Sequence, residues 1–193
     1  VTGEHPATVM INGVGLLERA INYALGSLHM VTPDALAHRT PCRGWDLRDL
    51  LEHMEDSLTA LREAADVGKV GLRLPEPDDA DCPVAAVRDS ASRLLGAWTN
   101  TGGAGPVSIG GSPLAADIVI GAGAVELTVH GWDVAMACGR HRPIPAPLAE
   151  QMLLLSPLFV SEADRPARFA EPVEVPPQAS PGDRLVAFLG RCP

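Results

Sequence analysis

The chain has 193 residues, of which 46% are hydrophobic, and a mean hydropathy of +0.11. That is enough apolar material for one domain with a real core and too much for a disordered, highly charged chain. Its net charge of −9 and pI near 5.0 argue against clustered Lys and Arg on one face, so nucleic acid is not an expected partner.

The N-terminal string VTGEHPATVM lacks a basic stretch followed by an apolar one, and no signal peptide is expected. Cys42, Cys82, Cys138 and Cys192 are far apart with no C-x-x-C pair, which reads as reduced thiols in the cytoplasm. Aromatic residues make up only 4% of the chain, leaving Ala, Leu and Val to fill the core, as in closely packed helices. Lys69 is the only lysine, and the Ala/Gly/Pro/Arg-rich usage suggests a GC-rich genome.

A first helix is predicted over 7–30, where Leu16, Leu17, Ala20, Ile21, Ala24 and Leu28 recur at helical spacing. Thr32-Pro33-Asp34 opens a short helical turn, and Thr40 to Trp45 is a breaker-rich loop. Asp46 then caps a second helix, 46–66, on the stripe Leu47, Leu50, Leu51, Met54, Leu58 and Leu61. After a polar connection at 67–82, a third helix fits 83–99 on Val84, Val87, Ala91, Leu94, Leu95 and Trp98.

Gly102 to Ser112 reads as a flexible Gly-rich loop, and no alternating strand pair or Asn-Gly hairpin signal is apparent. The fourth helix, 113–138, is apolar on nearly every side, which describes a central buried helix or a membrane span. Asp117, Glu126, His130 and Asp133 within it argue against the span. A fifth helix fits 145–160, and 166–181 is extended and Pro-rich. Ser180 to Asp183 opens a short last helix through Leu189. The expected architecture is all-α, a helical bundle over 1–163, with 164–193 a Pro-rich C-terminal extension packed on the same domain.

Glu126 and His130 are four residues apart, so they share a helix face about 6 Å apart along the axis. A carboxylate in so apolar a helix must be neutralised, paired or bound to a metal. A buried Glu–His hydrogen bond and a shared divalent cation both meet that need. His53 lies at the edge of the second-helix stripe, where it suits a groove between helices or a half-exposed surface equally well. Cys42, Cys138, His38 and His141 are further candidates, but Cys138 lies about 12 Å beyond His130 along the same helix. His38 and His141 sit in Arg-rich loops and read as solvent-facing. Trp132 and Asp133 read as structural, with Asp133 placed to support His130 or to bond the 43–46 loop.

The string from Thr40 to Met54, TPCRGWDLRDLLEHM, resembles the second-helix motif of the mycothiol-dependent maleylpyruvate isomerase-like proteins, within the DinB-like metalloenzyme superfamily. Glu126 to Ala135, ELTVHGWDVA, followed by Cys138-Gly139, resembles that family's other motif. Phe169 to Val175 and Leu185 to Arg191 are similar to its C-terminal pattern.

The resemblance implies a DinB-like four-helix bundle, up-down-down-up, with short extra C-terminal helices. It makes His53, Glu126 and His130 the ligands of one divalent metal, zinc first, with nickel or iron as alternatives. Three protein ligands with open positions are a catalytic arrangement. The implied cofactor is mycothiol, whose sulfur on the metal would be a thiolate able to add to an electrophilic carbon, giving S-transfer or isomerisation. The partner is then a small-molecule substrate, with no membrane and no nucleic acid, and the chain a monomer or homodimer. The family's isomerase uses an arginine from a further C-terminal domain, and Arg184 and Arg191 are the candidates to stand in for it. Other readings are a thiol-independent enzyme using the metal as a Lewis acid, a non-haem iron oxygenase with the same two-His, one-carboxylate set, or a non-catalytic metal- or ligand-binding protein.

Overall fold

The computed structural model describes residues 13–70, 82–101, 107–165 and 168–193. Six helices dominate it: α1 (Gly13–Leu28), α2 (Leu47–Val67), α3 (Pro83–Thr101), α4 (Ala116–Ala137), α5 (Ala146–Phe159) and α6 (Pro181–Phe188). Short 3-10 turns occupy Pro33–Ala37 and Glu162–Asp164. The part of the expected first helix before residue 13 lies outside the described residues, as do the side chain of Trp98 and residues 102–106.

The sequence stripes become the core. All six predicted α1 positions and all six predicted α2 positions are buried, and Val87, Ala91 and Leu94 carry α3 into the same cluster. Helix α1 packs chiefly on α4 and α2 on α3, while α2 also meets α4 and joins the two pairs. Helix α4 is buried almost all round, from Val119 and Ile120 through Ala124 and Leu127 to Val134. It is long and apolar enough to cross a membrane, yet 78% of its most apolar window is buried inside the protein, as a core helix requires. The close approach of α1 depends on Gly131, where an added Cβ would stand 2.9 Å from the Ala24 Cα.

Local chemistry sets the ends. Asp46 caps α2 through a reciprocal pair with Asp49, each side chain accepting from the other's backbone N–H at 3.0 Å. Gly68, at φ 64°, ends the helix in the left-handed region.

Two expectations are corrected. Lys69–Val70 (β1), Val107–Ile109 (β2) and Ser112–Leu114 (β3) form a small sheet, β1 parallel to β2 and β2 antiparallel to β3. Gly110 and Gly111, both at positive φ, make the two-residue turn that matches strand twist, so a Gly-Gly hairpin signal stood inside the presumed loop. Pro113 and Leu114 belong to β3, and α4 begins at Ala116.

Beyond α5 the chain folds back. Helix α6 packs on α5, Val173 donates its N–H to Ala187 O at 2.9 Å, and the Arg165 guanidinium reaches Phe188 O at 2.7 Å.

Candidate metal centre

His53 extends from α2, and Glu126 and His130 from one face of α4. Their donor atoms lie within 4.8 Å of one another, and His53 Nε2 stands 3.0 Å from Glu126 Oε1. The two imidazole rings meet edge to face at 5.2 Å between centroids. Around a tetrahedral ion with ligands at about 2.1 Å, donor atoms stand roughly 3.4 Å apart, so the three need only small adjustments to share one cation. His53 and Glu126 are about one-third exposed, whereas His130 is 11% exposed.

Each ligand candidate has its own support. Ser57, one turn after His53, donates its hydroxyl to Glu126 Oε1. Burial pushes the Glu126 carboxyl up, but the His53 hydrogen bond and the nearby His130 outweigh it, and the net shift is downward. The Trp45 ring lies 4.8 Å from that of His53. Thr40 ties the loop that positions Trp45 and Cys42: its hydroxyl donates to Trp45 O at 3.0 Å and accepts from Cys42 N at 3.1 Å.

Asp133 does more than pack. It is fully buried, and its Oδ2 stands 3.0 Å from His130 Nδ1, 3.3 Å from Cys42 Sγ and 2.9 Å from Arg191 Nη2. Burial raises its carboxyl, yet the Arg191 charge and the His130 hydrogen bond prevail and bring it down to about 2. An ionised carboxylate only accepts, so His130 Nδ1 carries a proton toward Asp133 and Nε2 is the ring nitrogen left to face a metal. The Cys42 thiol is the opposite case, pushed up to about 12 by burial and by the Asp133 charge, and it donates to that carboxylate.

Cys42, His130 and Asp133 also form a group with metal-ligating donors. Arg191 already supplies the cation there, 2.9 Å from Asp133 and 3.5 Å from Cys42 Sγ. The expected candidates therefore sort cleanly. His53, Glu126 and His130 converge; Cys42 lies on the Nδ1 side of His130; Cys138 and His141 join neither group. His38 reaches Ala137 O at 3.0 Å through Nδ1. Arg184 is exposed, and Arg191 is turned onto Asp133. Trp132 is core, 3% exposed. Sequence reasoning offered Asp133 two supporting roles but missed its link to Arg191, which joins residues 58 positions apart.

The profile of the mycothiol maleylpyruvate isomerase N-terminal domain family matches residues 17–135, which takes in both motifs of the site. The chain belongs to that family. It is also similar to two uncharacterized proteins of Mycobacterium tuberculosis, one from strain CDC 1551 / Oshkosh and one from strain ATCC 25618 / H37Rv. Each is 28% identical over 179 residues, spanning 90% of this chain and 94% of the relative. No solved structure matches it.

Proposed function

We propose that this protein is a divalent-metal-dependent enzyme acting on a small electrophilic metabolite through the thiolate of a low-molecular-weight thiol, mycothiol by family membership. The metal is zinc, or else nickel or iron, held by His53, Glu126 and His130. The observation that carries this reading is the convergence of two imidazoles and one carboxylate, with the Nδ1 of the deepest imidazole already committed to a buried carboxylate. That leaves Nε2 as the free, oriented ring nitrogen, the arrangement expected of a metal-ligating histidine.

A divalent ion at these residues would supply a strong local positive charge, which lowers the pKa of a coordinated thiol toward thiolate at neutral pH. The residues of this chain do the rest. Glu126 contributes the negative charge that holds the cation, and Ser57 fixes its orientation. His53, in ring contact with Trp45, closes the third side. Asp133 accepts from His130 Nδ1, so Nε2 is the ring nitrogen left to face the metal. Residues 1–163 act as the metal-binding bundle and 164–193 as an extension serving the same domain. The enzyme works in the cytoplasm as a monomer or homodimer, with a small molecule as its partner.

The test is S-transfer from mycothiol to monobromobimane or to maleylpyruvate-like acceptors, followed before and after chelation. The expected result is a rate above background that falls on chelation and returns with added zinc. Metal-loaded protein with no rate above background would overturn the thiol-dependent reading.

A further inference from the structure

We propose that Asp133 and Arg191 form a positioning pair that aims His130, so that the C-terminal tail of this chain sets the affinity of the metal centre. The inference rests on the metal assignment above and concerns residues outside the three ligands.

The tail reaches the site through a fixed path. Ser180 Oγ accepts from Asp183 N at 3.1 Å at the start of α6, and Leu185, Val186 and Leu189 anchor the helix in the core. Gly190, at φ 80°, ends it, with Gly190 N–H donating to Ala187 O and Arg191 N–H to Val186 O, a Schellman turn. A Cβ at Gly190 would stand 2.7 Å from Ala170 O, so the turn is closed by neighbouring backbone as well as by its own dihedral angles.

The turn directs Arg191 inward. Its Nε donates to Asp133 Oδ1 at 3.3 Å and its Nη2 to Oδ2 at 2.9 Å, while Nη1 is held by Leu189 O at 2.9 Å. The planar guanidinium thus grips both carboxylate oxygens, which a point charge would not orient. Asp133 in turn accepts from His130 Nδ1 at 3.0 Å. The carboxylate is fully buried, so solvent cannot replace either partner. The Arg191 guanidinium bonds Asp133, Leu189 O and Cys42 Sγ, so its effect on His130 passes through Asp133.

The experiment compares wild type, Asp133→Asn, Arg191→Met and Arg191→Lys as full chains, with folding checked by circular dichroism. Zinc affinity is measured by chelator competition, the cobalt-substituted protein by its visible spectrum, and the His130 tautomer by nitrogen-15 NMR of the metal-free protein. Losing support of this kind lowers metal affinity about 10- to 100-fold. The inference expects such a loss in Asp133→Asn and Arg191→Met, a changed cobalt spectrum, and less of the Nδ1–H tautomer. Arg191→Lys should fall between wild type and Arg191→Met. Should Arg191→Met fail to fold, Asp133→Asn and Arg191→Lys carry the comparison.

His130→Ala separates this idea from the metal assignment. If wild type binds zinc and His130→Ala does not, the assignment stands. Wild-type affinity, spectrum and tautomer in folded Asp133→Asn and Arg191→Lys would then overturn the positioning pair alone.

Discussion

Replacing Gly131 by alanine tests the packing that brings α4 against α1 beside the site. The added Cβ would lie 2.9 Å from Ala24 Cα and 3.1 and 3.2 Å from two atoms of the Tyr23 ring. Backbone cannot rotate away, and the ring is held under the Arg142 guanidinium at 4.2 Å. Overpacking of this kind costs about 1–3 kcal/mol, and a backbone obstacle places it in the upper half of that range. The helix-propensity gain of Gly to Ala returns about 1 kcal/mol. The net loss is about 1–2 kcal/mol, a fall in Tm of roughly 2–8 °C for a chain of this size. Gly96→Ala is the control, because an added Cβ on that exposed turn of α3 meets nothing within 4 Å. It should stabilise by up to about 1 kcal/mol. Urea unfolding followed at 222 nm reads both. Equal stabilisation by the two substitutions would refute the close approach of α1 and α4.

Tyr23 is the only tyrosine, and burial holds its phenol up at about 12 against the nearby Arg142 charge, so absorbance at 295 nm should titrate well above pH 10 in the folded protein and near 10 in urea. Because the folded pKa is the raised one, stability is complete below pH 10 and falls as pH rises toward 12; Tyr23→Phe should remove that part of the alkaline loss. Iodoacetamide at pH 8 should label the exposed Cys82 and Cys192 before Cys42, whose thiol is held near 12; mass spectrometry showing Cys42 first would contradict the buried network. Asp46→Ala removes the reciprocal cap of α2 and should cost about 0.5–2 kcal/mol in chemical unfolding, with the loss absent if the cap is not formed.

Helical periodicity carried most of the fold, because each of α1 and α2 buries one continuous stripe whose spacing survives in the chain. The all-round burial of α4 was equally visible in its composition. The small sheet was not, since strands of two and three residues are too short to show alternation, and Gly110-Gly111 was read as flexibility rather than as a turn. At the site, Glu126 and His130 are local to one helix and their spacing shows it. His53 joins the candidate ligands through its motif, because its stripe position alone is ambiguous. The Arg191–Asp133 pair depends on how the tail folds back over α4, a long-range fact that periodicity does not encode.

The most direct measurement is zinc stoichiometry and affinity in the wild type and in His53→Ala, Glu126→Ala and His130→Ala, each verified as folded. The metal assignment predicts one equivalent in the wild type and loss of most binding in every variant. One equivalent bound with undiminished affinity in all three would contradict it.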